Sequence, residues 1–467
     1  MDLIGLYPTW YESTVGSGWV VAIIATIHVL TSHLSVGAAI FFAYLATRAY
    51  RDNRPELVEF IKRYGLFLLV FAYVVGSITG VGIWYSTTVA SPRGISALIH
   101  SFVWKWATEW VFFVIEVVGV YMIVYLVGKV DRRTHMMITW VFGLASYTTM
   151  LIIIGILSFM LWPGKEAWFT EGGYLNGFYG SNTFAHLAMR TAFMFTITAV
   201  VGGIIIAGTK DQVFKKEMTR KLSWLGIASV LIGAALFQWY IRTLPDSAHL
   251  VMDNRLPNYF VPSLIAVLSA CLVYFIVTML QPRILVTALA SIMTVAILVF
   301  GLWPEEVARE SIRKPYVAGQ YLYSNQVIGR DVPGMGIRSE IPLLQEKGVL
   351  KTHPFLPEDL REVTSENVVR AGRAIAIIMC SNCHSLDRTG IRPMHHYLGG
   401  NSDYKRIKTY LLGALATGNT LYMPQIPLTE EEAEALAVYL ASMSDETVAE
   451  RYARDKSALA LVDEEEE

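Results

Sequence analysis

Long apolar runs separated by short charged segments dominate the first three hundred residues of this chain. A stretch of about 20 apolar residues is long enough to cross the hydrocarbon core of a bilayer. The pattern predicts eight such helices, at 18–47, 65–86, 103–127, 136–162, 184–208, 221–242, 258–280 and 284–304. The remaining third has shorter amphipathic segments. The predicted fold class is all-α, a polytopic membrane helix bundle of about eight spans with a small all-α domain after it.

The segments that connect these helices differ in their number of Lys and Arg residues from one side of the membrane to the other. One side is rich in Lys and Arg, and these residues are Arg48, Arg51, Arg54, Lys62, Arg63, Lys129, Arg132, Arg133, Lys210, Lys215, Lys216, Arg220, Lys221 and Arg283. The other side has Arg93, Lys165, Arg242 and Arg255. Because basic loops stay in the cytoplasm, we expect the amino terminus and the carboxy-terminal domain on the periplasmic side of a bacterial inner membrane.

Composition agrees with a membrane protein, since 54% of the residues are hydrophobic and only 16% are charged. The net charge of -1 offers no basic surface for nucleic acid, so no nucleic-acid partner is expected. Of the three cysteines, Cys271 lies in an apolar window and is predicted to be a small core residue.

Residues 380 to 384 read Cys-Ser-Asn-Cys-His, the spacing of a covalent heme attachment motif. Two thiols three positions apart can form thioethers with the two vinyl groups of one heme, and the adjoining His384 can bind the iron. A zinc half-site is the alternative, but the chain has no second CxxC. The motif therefore predicts one covalent heme c held by Cys380, Cys383 and His384.

The residues around this motif resemble a class I cytochrome c domain, from 365 to 447. In that family a Met from the loop before the last helix binds the iron, and Met423 in Tyr-Met-Pro-Gln-Ile-Pro-Leu-Thr occupies that place. The weaker competitors are Met394, His395 and His396. Thr429 and Glu432 predict a capping box at the last helix. We expect a periplasmic linker at 317–364 and an acidic tail at 448–467.

Histidines inside apolar spans are costly unless they are paired or bind something, so each is a candidate ligand. These are His28, His33, His100 and His186, of which all but His33 are expected toward the outer face. His135, His249 and His353 are expected to be surface residues outside the spans.

Two carboxylates in the third span are equally unusual. Glu109 and Glu116 lie seven residues apart, about two helical turns, and so share one face. They are candidates for heme ligation or proton transfer. A helix–helix hydrogen bond or an ion pair with Lys105 is the structural alternative.

At these residues the chain resembles subunit I of the cytochrome bd oxidases, over about 18–316. The resemblance rests on Ile27-His28-Val29-Leu30, the Glu109 and Glu116 region, Phe184-Ala185-His186, and a stretched GWxxxExGRQPW segment at 301–316. It implies that His28 binds a heme of the oxygen-reducing pair and His186 the low-spin b heme. It also implies that Glu109 lies beside the high-spin hemes and Glu116 in a proton path. Glu306 would then be a ligand, while Arg309 or Arg313 would meet propionates.

The departures from that family are as informative as the matches. The family's seventh-helix Met is missing from the matching stretch at 259–266, and His33 is an extra candidate ligand. The long quinol-binding loop is shortened to 243–258. The sequence thus predicts a bd-like membrane domain, 1–316, that has lost its usual quinol site and gained a tethered cytochrome c.

The predicted function is heme-based electron transfer between the periplasmic cytochrome c and b-type hemes, with oxygen reduction as the candidate end reaction. Two or three b-type hemes are expected, one of them a candidate heme d. The alternative is an electron-relay subunit of a larger quinone/cytochrome c respiratory complex. Expected partners are the bilayer, a second membrane subunit, other respiratory-complex subunits and a periplasmic electron carrier, with quinone as a further candidate. A transporter or assembly protein is disfavoured because no broken, repeated helices occur in the sequence.

Overall fold

The computed structural model describes residues 6–14, 16–390, 392–418, 420 and 422–466. Within that part of the chain, eight helices are long and apolar enough to cross a membrane. In chain order they are Ser17–Arg51, Pro55–Ala90, Pro92–Tyr125, Arg132–Leu161, Thr183–Ala207, Gln212–Arg242, Phe260–Leu280 and Thr287–Arg313, called the first to eighth spans. The predicted polytopic all-α bundle is confirmed.

The eighth span extends well past the predicted end at residue 304. It continues to Arg313 because its polar residues pair along the helix, Arg309 with Glu306 and Arg313 with Glu310, each three positions apart. Residues 305–313 therefore continue the eighth span. This charged turn belongs to the bundle, and Glu306 within it is only 2% exposed.

The fifth span lies at the centre of the bundle. Inside the structure, 78% of its apolar window is buried, against 17% for the second and eighth spans. It crosses the first span closely, since a Cβ atom at Gly37 would lie 2.2 Å from Thr198 Oγ1. Small residues permit such close helix contacts in membranes. The side chains near the start of the fifth span are therefore surrounded by other spans.

Short helices lie in the connections between the spans. Trp168–Glu171 and Tyr174–Phe178 lie between the fourth and fifth spans. Asp246–Arg255 lies between the sixth and seventh, and the 3-10 turn Pro282–Ile284 precedes the eighth. Two π-helical segments, Leu68–Tyr73 and Leu298–Leu302, occur within the second and eighth spans.

A small hairpin follows the eighth span. Strand β1 (Tyr316–Ala318) pairs antiparallel with strand β2 (Leu322–Tyr323), with Tyr316 opposite Tyr323. After it come the 3-10 turn Pro333–Met335, the helices Ile341–Lys347 and Val349–Thr352, and the 3-10 turn Glu358–Leu360.

The last hundred residues form a helical region with its own hydrophobic core. Its helices are Val368–Met379, Met394–Leu398, Tyr404–Tyr410 with a π-helical continuation at Leu411–Leu415, Glu430–Ser442 and Val448–Glu466. Ile375 and Leu436 are fully buried where the first and fourth of these helices cross. The capping box of Thr429 and Glu432 is confirmed. Glu432 also accepts the Leu350 N–H at 2.7 Å, which fixes the preceding segment to this region.

Each of the three connections predicted on the outer side, or the helical turn beside it, contacts the part of the chain that follows the eighth span. Arg93, in the first turn of the third span, pairs with Glu340 at 2.5 Å. Glu166, between the fourth and fifth, pairs with Arg330 at 2.8 Å. Arg255, between the sixth and seventh, lies 4.6 Å from the Tyr422 ring centre. The charge pattern predicted that these segments lie on one side of the bundle, and in the structure they do.

Candidate functional site

The CxxCH segment forms a tight turn at the end of the helix Val368–Met379. The N–H groups of Cys383 and His384 both donate to the Cys380 carbonyl oxygen, at 3.1 and 3.0 Å. Both cysteines have free thiols. The turn places both thiols and the imidazole on the wall of one cavity.

This cavity has a volume of about 1120 Å³. Cofactor pockets generally measure about 300 to 1,000 Å³, so a heme fits within it. Four basic side chains also line it, namely Arg255, Lys314, Arg392 and Arg406. Guanidinium and ammonium groups are suited to carboxylates such as heme propionates. The size, the two thiols and the basic lining all fit a covalent heme.

His384 is oriented as a metal ligand. Its Nδ1 lies 3.3 Å from the Arg392 carbonyl oxygen, which can only accept, so Nδ1 carries the proton. The Nε2 lone pair is then left for a ligand. Burial lowers the pKa of His384 to about 4, so the imidazole is neutral at physiological pH. A neutral imidazole is the form that binds metal.

The cavity also contains the predicted sixth ligand. Met423 and Met394 both line it, whereas His395 and His396 are not among its described lining residues. Thr420 Oγ1 donates to the Met423 carbonyl at 3.3 Å and holds that loop in place. Met423 and Met394 are thus the two predicted candidates that share the cavity with the motif, and Met379 lines it as well.

The CxxCH turn contacts the start of the first span. Ser17 Oγ donates to Asn382 Oδ1 at 3.2 Å, and Ser385 Oγ donates to the Ser13 carbonyl at 2.6 Å. In the first turn of this span lies Trp19. The centre of its ring is 5.4 Å from that of Trp303, which begins the polar part of the eighth span. Next to the motif, one aromatic pair thus joins the first span to the eighth.

A buried polar cluster occupies the outer end of the bundle. Arg190 Nε donates to His186 Nε2 at 3.0 Å, and Arg190 Nη2 pairs with Glu305 Oε1 at 2.5 Å. Arg190 Nη1 lies 3.5 Å from His33 Nε2. The His186 ring stacks on Tyr240 with centroids 4.7 Å apart. The first, fifth and eighth spans thus meet at one guanidinium group, and the sixth span packs on His186.

Sequence reasoning missed two members of this cluster, Arg190 and Glu305. The signal was present, since an arginine inside an apolar span is as costly as a histidine. Arg190 also follows His186 by four residues, one helical turn on the same face. Glu305 stands 115 residues away in sequence, and only the packing of the spans brings it to Arg190.

The other predicted residues of the eighth span are buried and paired. Glu306 forms an ion pair with Arg309. Arg313 Nη2 donates to Glu310 Oε1 at 2.5 Å, while its buried Nε has no hydrogen-bond partner within the described part of the chain. The carboxylate of Glu306 is thus neutralised by its own helix.

His28 lies apart from this cluster, against the second span. Its Nδ1 lies 3.1 Å from the Gly76 carbonyl and 3.2 Å from Thr79 Oγ1. The carbonyl fixes the proton on Nδ1, so Nε2 is again the unprotonated nitrogen. His28 therefore has the tautomer that a heme ligand requires.

The third-span acids differ in their surroundings. Glu116 is buried, and its Oε2 accepts from Tyr73 at 3.3 Å, while Tyr73 in turn accepts from Ser35 Oγ at 2.7 Å. Glu109 is half-buried. Lys105 lies over the Phe178 ring at 4.9 Å, and no ion pair of Lys105 occurs among the described residues. A chain of hydroxyls thus links Glu116 to the first span.

His100 is exposed, and its Nδ1 bonds to the Ser96 carbonyl of its own helix at 2.8 Å. The structure does not bring it to the other histidines.

Two of the three histidines expected on the surface are buried. His135 is 1% exposed, with Nδ1 2.8 Å from the Tyr50 hydroxyl and Nε2 3.1 Å from the Ile123 carbonyl. His353 is 3% exposed and accepts the Phe355 N–H. Both surface predictions were wrong: Tyr50 and Ile123 cover the His135 ring, and the His353 ring is buried beside Phe355. Cys271 is buried beside Met293, as predicted.

No protein-family profile matches this chain, and no curated protein matches it by sequence. Solved structures do match, among them the bd oxidase from Geobacillus thermodenitrificans, with a TM-score of 0.53 at 12% identity. The match covers 69% of this chain and 90% of that one. This chain shares the fold of a bd oxidase.

Proposed function

We propose that this chain is a heme-bearing electron-transfer subunit that links a covalent heme c in its carboxy-terminal region to b-type hemes in its bd-like bundle. One observation carries the proposal. The cavity that contains Cys380, Cys383 and His384 is also lined by Arg255 and Lys314, which belong to the membrane half. The attachment motif is therefore part of the junction between the two halves.

In this proposal each residue of the cavity has a distinct role. Cys380 and Cys383 would form the two thioethers, and His384, through Nε2, and Met423 would bind the iron. A heme so held supplies a one-electron redox centre. The contacts of Ser17 and Ser13 with the turn fix its distance from the first span.

Within the bundle, His186 and His28 are the proposed ligands of b-type hemes, with Glu306 as a further one. All three side chains are wholly or partly buried, and both imidazoles have the required tautomer. Arg309 and Arg313 are the proposed partners of propionates. The bd oxidase fold supports this assignment, and so does the cost of burying such groups without a ligand.

Oxygen reduction is the proposed end reaction, because the fold is that of a bd oxidase. The hydroxyl chain from Ser35 through Tyr73 to Glu116 then carries protons into the bundle. The relay alternative is favoured by one observation. The helix Asp246–Arg255 fills the connection where the bd family has its quinol loop, and its Arg255 lines the heme c cavity instead.

The proposed membrane location and orientation follow from the distribution of Lys and Arg. The protein spans the bacterial inner membrane with the cytochrome c region in the periplasm, where a soluble electron carrier can reach it. A second membrane subunit is proposed because the second and eighth spans are mostly exposed in the single chain.

Heme counting and oxygen uptake test the proposal. Pyridine hemochrome spectra of the purified protein are expected to give one heme c and two or three b-type hemes per chain. Oxygen uptake with reduced cytochrome c is expected to be lost in His28→Ala and kept in His249→Ala, a half-buried histidine outside the spans. If the unaltered protein takes up no oxygen but its b and c hemes still exchange electrons, the relay alternative is favoured. Absence of all b-type heme contradicts the proposal.

A further inference from the structure

We infer that Arg255 and Arg392 bind the two propionates of heme c, so that one guanidinium comes from the membrane half and the other from the carboxy-terminal region. The inference rests on the proposed function, because it names the residues that hold the carboxylates of the heme c proposed there. It is carried by the position of both side chains on the cavity beside the CxxCH turn, and by the partners that the other basic side chains of that cavity already have.

The helix Asp246–Arg255 turns one face to this cavity. Val251, Asn254 and Arg255 all line it, and their spacing of three and four residues places them on one face of the helix. Val251 is 2% exposed and packs in one hydrophobic cluster with Ile312 of the eighth span. The backbone that carries Arg255 is therefore held on the bundle beside the cavity.

Arg255 is a half-buried cation whose charge no carboxylate balances in the part of the chain that the structure describes. Its guanidinium lies 4.6 Å from the centre of the Tyr422 ring. The face of an aromatic ring attracts a cation but carries no net charge. Because charged groups that leave water are normally paired, this guanidinium is available to an anion in the cavity.

Arg392 reaches the same cavity from the loop after the motif. Its carbonyl oxygen accepts the Nδ1 proton of His384, so its backbone is held beside the proposed iron ligand. Arg392 is half-buried as well, and its guanidinium has no ion pair among the described residues. A heme carries two propionates, and guanidinium groups bind carboxylates through two parallel hydrogen bonds. The cavity thus offers one such group from each half of the molecule.

The two other basic side chains of the cavity are less suited to this role. Lys314 Nζ donates to Ser324 Oγ at 3.1 Å and lies 3.7 Å from Glu310 Oε2. The charge of Lys314 is therefore already paired within the protein. Arg406 is exposed, and water and salt screen its charge.

A propionate bound by Arg255 would make the membrane half part of the heme c site. Reduction of the heme adds one negative charge, which a nearby cation stabilises. Arg255 therefore raises the midpoint potential of heme c, and the membrane half helps to set the potential at which heme c accepts an electron.

Spectroelectrochemical titration of the purified full chain tests this assignment, with heme c and the b-type hemes followed at their separate absorption bands. Arg255→Gln and Arg392→Gln are each expected to lower the midpoint potential of heme c and to leave that of the b-type hemes unchanged. Arg255→Lys keeps the positive charge and is expected to recover most of the shift. Arg406→Gln removes the same charge from an exposed position on the cavity, so a smaller shift is expected.

The outcomes separate the inference from the proposed function. An unchanged heme c potential in Arg255→Gln or in Arg392→Gln overturns the inference, as does an equally large shift in Arg406→Gln. Equal shifts in Arg255→Gln and Arg255→Lys also overturn it, because packing rather than charge would then be the cause. Heme staining after denaturing electrophoresis checks that each variant keeps its covalent heme. These results leave the proposed function standing, whereas the absence of covalent heme from the unaltered protein removes the proposed function itself.

Discussion

The cavity beside the CxxCH turn and the His186 cluster accommodate polar groups in opposite ways. The cavity is large, and its basic side chains surround space that is in contact with water. In the cluster, every polar side chain lies against another, and Arg190 alone contacts His186, Glu305 and His33. Within a bilayer no water is available to satisfy donors and acceptors, so buried groups must find partners in the protein. Polar side chains within the bundle therefore bond mainly to one another, whereas the site outside the bundle is held by the backbone hydrogen bonds of its turn.

The largest expected effect is on the covalent heme. Cys380→Ser with Cys383→Ser is expected to abolish covalently bound heme completely, because both thioethers are removed. Heme staining after denaturing electrophoresis measures this. Cys271→Ala is the control, since Cys271 lies in the bundle core, and it is expected to keep full staining. Covalent heme in the double variant would show that the motif is not the attachment site.

The next effect concerns the cluster. Arg190→Leu leaves Glu305 buried without its counter-charge, and such a change costs about 3 to 5 kcal/mol of unfolding free energy. Denaturation in detergent, followed by tryptophan fluorescence, measures the loss. Adding Glu305→Gln to Arg190→Leu is expected to recover much of it. Lys165→Ala removes an exposed pair with Glu171 and is expected to cost about 0 to 1 kcal/mol. Equal costs for both single variants would contradict a closed, partnered cluster.

A third effect concerns the attachment of the carboxy-terminal part to the bundle. Arg93 donates to both carboxylate oxygens of Glu340, at 2.7 and 2.5 Å, and both side chains are largely buried. Arg93→Ala is expected to cost about 2 to 3 kcal/mol, the scale of charged hydrogen bonds. Urea denaturation followed by heme c absorbance measures it. Arg370→Ala, which removes an exposed pair with Asp359, is the matched control and is expected to cost under about 1 kcal/mol.

The smallest expected effect is a pH dependence outside the membrane. Burial, and secondarily the charge of Arg361, lower the pKa of His353 to about 4. The unfolded chain therefore takes up this proton first, so the contribution of His353 is present above about pH 6.5 and is lost as the pH falls toward 4. About 2 kcal/mol is expected to be lost over that range. His353→Gln is expected to flatten this part of the stability profile. An unchanged profile would assign the acid sensitivity to other groups.

Much of the fold could be read from local patterns. The eight apolar windows needed only length and hydropathy, and the capping box of Thr429 and Glu432 needed only two residues three positions apart. The polar end of the eighth span could not be read this way. Its burial depends on ion pairs within the helix and on Arg190 from the fifth span, which no local window contains. His135 was misplaced for the same reason, because Tyr50 reaches it from 85 residues away.

The sequence by itself determined the number of spans, the shared side of the outer connections and the CxxCH turn. Each of these depends on spacing along the chain or on the cost of moving polar residues into a bilayer. Only the tertiary structure decided that His33, His186 and Glu305 meet at Arg190, and that the heme c cavity is shared with the membrane half. Such contacts join residues more than a hundred positions apart, and they are set by which helix faces pack together.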